Sequence, residues 1–236
     1  MKLSTIAKTS LALGILTTGV ITTNAQPVDA AQQATQKSNL STNVQELLDY
    51  YNKPSFDHRN VKGYKTGNKV EFVDEKYKQP VEVTLAGGDK TSLKEGDLSD
   101  IDVFVVREDS SRQVLNNSIG GVTKSNSQDF KDYVAKPELF ISKDHGDYKS
   151  TIGEGPHLIT KEEISLKELD FKLRKHLIDN HGLYSKGNNK GDIIVKMKGD
   201  NPDHKYTFEL DKKLQDHRMG DVVNSKDIKE IIVEFK

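Results

Sequence analysis

The sequence predicts an α+β fold: short strands in the first half, then a mixed sheet wrapped around one long helix. Three observations carry this. In residues 161–184 (KEEISLKELDFKLRKHLIDNHGLY), Leu166, Leu169, Leu173 and Leu177 recur at helical spacing and form one apolar stripe. Residues 101–106 (IDVFVV), 193–197 (IIVKM) and 228–235 (IKEIIVEF) carry the apolar runs or period-two alternation of strands. Gly-, Asn-, Asp- and Pro-rich stretches separate these runs and supply the turns. A helix with so rich a stripe needs a sheet to cover it, and the strands on either side supply one.

The chain opens with Lys2 and Lys8, then an apolar run over 11–22 that is too short to span a bilayer comfortably, then the small-residue site Val28-Asp29-Ala30. This is the pattern of a secretory signal over residues 1–30. Residues 31–43 are polar, without aromatics or periodicity, and are expected to be a flexible lead-in. Residues 44–51 (VQELLDYY) form a short helix that Lys53-Pro54 ends. From Phe56 to about Ile141 the pattern is one of short strands: 70–73, 81–85 and 101–106, with a turn at Gly87-Gly88-Asp89. The pair Gly120-Gly121 marks a bulge or a close backbone approach. Such spacing with little helix predicts a small barrel or sandwich.

In the second half a strand is expected at 139–142, then a Gly- and charge-rich loop and a strand near 157–160. The helix follows, opened by Ser165 with Glu168 three residues on, a reciprocal capping box. Gly182 is expected to be the left-handed stop, with Leu183 closing back on the last turn. Residues 193–197 and 205–210 pair as a hairpin across 199–204, residues 212–218 are a charged segment, and 228–235 is the terminal strand.

Composition limits what the chain can do. It has 236 residues, no cysteine and a formal net charge of −1. Thiol nucleophiles, thiolate metal sites and disulfide staples are therefore excluded. A balanced charge provides no global field for nucleic acid or an anionic membrane, so neither nucleic-acid binding nor membrane insertion is expected. There is no G-x-S-x-G, H-E-x-x-H or phosphate loop, and no carboxylate pair suited to acid–base work. The expectation is a binding protein without cofactor, not an enzyme.

With their spacings, Lys161, Ile164, Leu169, Asp170, Arg174, Leu177, Leu183 and Tyr184 resemble the second signature of the staphylococcal and streptococcal superantigen toxins. The signal, YYNKPSF at 50–56, IDVFVV at 101–106 and GGVTK at 120–124 resemble the staphylococcal superantigen-like proteins in particular. The resemblance implies an N-terminal OB-fold β-barrel domain over residues 44–140 and a C-terminal β-grasp domain over 141–236, with residues 165–181 as the grasped helix. Two positions depart from the first toxin signature: Ile119 replaces a Tyr before the Gly-Gly pair, and Gln128 replaces an Asn. The cysteine pair of many enterotoxins is also missing. These departures point away from T-cell superantigen activity and towards the branch whose members block host immune molecules.

Within that branch, the resemblance extends to a subset that binds sialylated glycans of the sialyl-Lewis X type. Its motif is similar to residues 205–219, KYTFELDKKLQDHRM. On this resemblance the carbohydrate-binding residues are Thr207, Glu209, Lys212 and Arg218. The chemistry is consistent on its own terms. Thr207 and Glu209 are two apart on a strand and share a face, while Tyr206, Phe208 and Leu210 take the other. A guanidinium such as Arg218 can hold the carboxylate of sialic acid with two charge-assisted bonds. Thr207 offers a neutral bond to the same sugar, Glu209 accepts from a neighbouring ring, and Lys212 adds charge at the rim. From spacing alone, a Thr and a Glu on an open strand face are solvated residues and the Arg a surface ion-pair partner; the resemblance assigns them the role. The loop 185–191 is expected to form a wall of the groove, and the loop 199–204, with Pro202, is long enough to fold over it.

The implied partners are sialylated glycoproteins on host leukocytes, with the secreted protein acting as a monomer or weak homodimer. The alternative is glycan-independent binding of a host immune protein such as an immunoglobulin, complement component, protease or Toll-like receptor. No metal site is expected. His145-Gly146-Asp147 has a zinc-like H-x-D spacing but lies in a loop. His176 and His181 are five apart on the helix and are expected not to share a face, with His176 solvated.

Overall fold

The computed structural model describes residues 41–108, 116–185 and 188–236. The expected secretory signal and most of the lead-in lie outside them. A helix, α1 (Thr42–Tyr51), precedes the first sheet. That sheet contains β1 (Ser55–Thr66), β2 (Lys69–Asp74), β3 (Gln79–Thr84), β4 (Gly96–Val106), β5 (Asn116–Ile119) and β6 (Val122–Lys124), with the one-turn helix α2 (Asp89–Ser92) between β3 and β4. The strand order is β5-β3-β2-β1-β4-β6. Val70, Phe72, Val81, Val83, Leu85, Leu98, Ile101, Val103, Val105 and Val122 fill its core. The alternation in β2, with Val70, Phe72 and Asp74 buried and the residues between them exposed, shows why a period-two sequence settles there as a one-sided strand.

The longest strand of this sheet, β1, is almost wholly polar or exposed. It is held by more than ladder bonds. Its register against β4 shifts twice between His58 and Gly63, and Asn60 takes a positive φ of 51°. The buried Asp102 stabilises this irregular stretch. Its carboxylate accepts from the Asn60 backbone N–H at 2.8 Å, from Arg59 Nη1 at 3.2 Å and from Ser125 Oγ at 2.6 Å.

The second sheet contains β7 (Glu138–Asp144), β8 (Lys149–Pro156), β10 (Gly191–Met197), β11 (Lys205–Glu209) and β13 (Ile228–Phe235), in the order β11-β10-β13-β7-β8. Only β13 and β7 run parallel. The short pair β9 (Glu163–Ser165) and β12 (Val222–Asn224) stands beside it. The long helix α3 (Leu166–His181) buries Leu166, Leu169, Leu173 and Leu177, the expected stripe. Ser165 caps it by accepting from the Glu168 N–H at 3.1 Å, and Gly182 ends it at φ 66°. Leu183, buried, donates its N–H to the Leu177 carbonyl at 3.1 Å, as expected of a closing residue.

The capping box is only half formed. The Glu168 carboxylate does not turn back to Ser165 but accepts from the buried Lys161 at 2.6 Å and from Lys172 at 2.5 Å. Lys161 also reaches Asp57 of β1 at 2.8 Å, so this charge cluster ties the helix start to the first sheet. A second correction concerns β8. The sequence reading put a loop there and a strand near 157–160, whereas the strand is Lys149–Pro156 and Ile159 makes only an isolated bridge to Ala135. Gly153, Gly155 and Pro156 hide β8 from pattern reading; an edge strand tolerates them because, among the described residues, its outer side pairs with no strand.

Candidate functional site

The site expected from sequence sits on β11, an edge strand of the second sheet, and on the segment that follows it. Phe208 and Leu210 are buried while Glu209 is exposed, as the alternation predicts, but Tyr206 and Thr207 are both half-buried. Thr207, Glu209, Lys212 and Arg218 all line one shallow depression of about 60 Å³, together with Lys213, Gln215 and the buried Arg174. The four residues come from one continuous stretch, 207–218, which turns after β11 to bring Arg218 back beside Thr207.

Their present contacts are local. Lys212 pairs with Glu209 across one turn, with both side chains well exposed. That pairing holds the Lys212 ammonium above its ordinary pKa. Arg218 Nη1 donates to the Thr207 carbonyl at 3.1 Å and to Gln215 Oε1 at 3.2 Å. Its Nε and Nη2 make no hydrogen bond among the described residues, so part of the guanidinium fork is open to an anionic oxygen. The guanidinium carbon lies 5.7 Å from the Phe208 ring centre. Gln215, which orients Arg218, is not among the four residues the sequence predicts for the site.

Two supports fix this surface, and each includes residues of the family signatures. The first is a buried charge network. Arg174 Nε donates to Asp170 at 2.7 Å, Nη2 to the Glu209 carbonyl at 2.9 Å and Nη1 to the Leu210 carbonyl at 3.1 Å and to the Tyr184 hydroxyl. Tyr51 donates to the other Asp170 oxygen at 2.7 Å and accepts from the Leu214 N–H at 3.3 Å. Burial opposes the Arg174 charge, but Asp170, Tyr51 and Tyr184 together outweigh it and hold the guanidinium protonated, well above its ordinary pKa. The backbone at Glu209, Leu210 and Leu214 is thus pinned from beneath.

The second support is backbone contact with the first sheet's loops. Arg218 ends a 3-10 turn (Asp216–Arg218), and the next two residues are clamped. The Met219 carbonyl accepts from the Gly121 N–H at 3.1 Å, and the Gly220 carbonyl from the Asp89 N–H at 3.0 Å. A Cβ on Gly120 would lie 2.5 Å from the Met219 carbonyl carbon, and one on Gly220 would lie 1.4 Å from the Ala86 carbonyl oxygen. The paired glycines were expected to mark a close backbone approach, and this is the approach.

Two loop expectations are corrected. No residue of 199–204 lines the depression; that turn joins β10 to β11 at the Lys205 end, away from Glu209. No described residue of 185–191 lines it either. That loop instead supports the strand end, where the Leu210 N–H donates to the Gly191 carbonyl at 2.8 Å.

The expectation for His176 and His181 is also overturned. Neither is a free surface side chain: His181 Nε2 lies 3.2 Å and His176 Nε2 3.8 Å from the same oxygen of Glu154 on β8. Their rings are 5.6 Å apart. Five residues leave the Cα positions about 140° apart on a helix, but His181 is the last helical residue and Glu154 gathers both rings. His145, in contrast, is exposed and stacks on Tyr148 at 4.6 Å with Ser150 Oγ at 3.0 Å from its Nε2. Among the described residues no helix is long and apolar enough to cross a membrane.

Two family models match the chain. One described as the staphylococcal superantigen-like OB-fold domain covers residues 45–126, and one described as the staphylococcal/streptococcal toxin β-grasp domain covers 137–235. The first sheet is accordingly an OB-fold domain and the second, with α3, a β-grasp domain. Superantigen-like protein 11 of Staphylococcus aureus strain Newman is 49% identical over 235 residues, spanning 100% of both chains. Staphylococcal superantigen-like 1 of the same strain is 44% identical over 238 residues, again across 100% of both. Among solved structures, a putative exotoxin 3 from Staphylococcus aureus has 42% identity and a TM-score of 0.74, over 82% of this chain and 100% of that one. The staphylococcal superantigen-like protein 5 complexed with sialyl Lewis X has 38% identity and a TM-score of 0.72, over 82% and 100%.

Proposed function

The chain belongs to the staphylococcal superantigen-like family, and we propose that it is a secreted binding protein for sialylated glycans of the sialyl Lewis X type. Its targets are glycoproteins on host leukocytes, and occupying their glycans blocks adhesion or receptor signalling. The observation that carries this reading is the convergence of Thr207, Glu209, Lys212 and Arg218 on one depression, with part of the Arg218 fork unused. A relative of the same fold, superantigen-like protein 5, is solved in complex with sialyl Lewis X, which supports the ligand class.

Each residue has a role that its chemistry suits. Arg218 holds the sialic acid carboxylate, where a planar fork gains two parallel charge-assisted bonds. The Thr207 hydroxyl binds the same sugar. Glu209 accepts from hydroxyls of the adjoining ring, and Lys212, already paired to it, adds charge at the rim. The depression is shallow, so single-site affinity is modest; several sialylated ends on one mucin-like receptor raise the effective affinity through avidity.

Binding to leukocytes before and after sialidase treatment tests the reading. It expects binding to fall to background after treatment. Binding that survives sialidase in full would overturn it and point to a host immune protein bound through another surface.

A further inference from the structure

Away from the glycan depression, three potential ligand atoms converge where the end of α3 meets β8. The side chains are Glu154, His176 and His181, and one ligand atom from each lies within 4.8 Å of the other two. The two imidazole Nε2 atoms are buried and have no hydrogen-bond partner among the described residues. Buried polar nitrogens are nearly always satisfied, so two orphans aimed at one carboxylate need an explanation. A proton shared with Glu154 could serve one ring but not both.

We propose that Glu154, His176 and His181 form a binding site for a zinc-class divalent cation, with a fourth position left for water or a partner's donor atom. Two imidazoles and one carboxylate are the donor set that zinc accepts with three protein ligands. The set disfavours calcium and magnesium, which take oxygen ligands. Zinc–nitrogen and zinc–oxygen bonds near 2.0–2.1 Å put tetrahedral ligand atoms about 3.3 Å apart. The Glu154–His181 separation of 3.2 Å already matches this, and His176, at 3.8 Å from the same oxygen, has only a small distance to close.

The outer contact at His176 has to rearrange. Asn180 Nδ2 lies 3.1 Å from His176 Nδ1 and 3.0 Å from the His176 carbonyl. Ligation through Nε2 puts the His176 proton on Nδ1. Ligation therefore requires Asn180 Nδ2 to leave Nδ1 and keep only its bond to the His176 carbonyl. The cation would cross-link the last turn of α3 to the edge strand β8.

Isothermal titration calorimetry of the full chain with zinc chloride at neutral pH tests the site. One zinc per chain is expected, with affinity at least tenfold weaker in each of His176→Ala, His181→Ala and Glu154→Gln. The His145→Ala variant, at an exposed histidine outside the cluster, should bind as the unmutated protein does. No saturable binding overturns the proposal, as does one-equivalent binding of unchanged affinity in the His176→Ala/His181→Ala double variant. If the variants fail to fold, proton NMR of the unmutated protein decides. Zinc should shift the ring resonances of His176 and His181 among the seven histidines; shifts confined to other histidines, or none, overturn it.

Discussion

Arg174 Nη2 donates to the backbone carbonyl of Glu209 at 2.9 Å, joining the buried face of the grasped helix to the strand that carries the candidate glycan site. The same guanidinium reaches Leu210 and Asp170, so one side chain sets both the helix–strand distance and the exit direction of the chain after β11. The helix therefore supports the candidate glycan site from underneath.

Replacing Arg174 by Met should therefore do two things at once. It leaves Asp170 buried with its ion-pair partner gone and frees two backbone carbonyls, a change that costs about 3–5 kcal/mol. Urea unfolding should show that loss. Sialylated-glycan binding should weaken even under conditions where the variant remains folded, because the backbone at Glu209 and Leu210 is no longer pinned.

Lys212→Ala should behave in the opposite way. Its pair with Glu209 is solvent-exposed, and such pairs contribute little to stability. Thermal unfolding should stay within a few degrees of the unmutated protein, while glycan affinity falls several-fold. A variant that loses stability but keeps affinity would assign Lys212 a structural role.

Gly220→Ala tests the clamp behind Arg218. The added Cβ would sit 1.4 Å from the Ala86 carbonyl oxygen, a backbone atom that cannot move independently of its loop. The expected cost is about 3 kcal/mol or more, read by chemical denaturation. Any folded fraction should bind glycan weakly because Arg218 is displaced.

Asp89 gives a pH dependence. Its carboxylate accepts from the Ala86 N–H at 2.7 Å, yet burial first, and then the charge of Asp221, push its pKa up to about 7 from 3.8. Between those values the folded chain holds a proton that the unfolded chain has lost. The stabilisation is therefore full below about pH 4 and is lost as pH rises through 7. Asp89→Asn keeps an acceptor oxygen without the charge. The difference in melting temperature between variant and unmutated protein should grow in the variant's favour from pH 4 to pH 8.

Much of this was legible in the sequence, for physical reasons that differ by element. The long helix could be read because its stripe, cap and stop each leave a residue-level mark: Leu169 and Leu173, Ser165, Gly182. The hairpin of β10 and β11 could be read because apolar runs flank a loop of turn residues. β1 could not, since its pairing depends on backbone bonds and on Asp102, more than forty residues away, rather than on an apolar face. The co-location of Thr207, Glu209, Lys212 and Arg218 was reached through the family motif; alternation alone aligned only the first two. The histidine cluster was missed because helical spacing argues against it. Only the strand pairing that puts Glu154 beside the end of α3 makes the three meet.

The central claim is that Arg218 and Thr207 hold the sialic acid of a sialylated glycan. Titration of the purified protein with sialyl Lewis X, compared with the same titration of Arg218→Ala and Thr207→Ala, tests it most directly. The account predicts saturable binding that weakens at least tenfold in each variant, with thermal unfolding little changed. No binding by the unmutated protein, or equal affinity in all three, would contradict it.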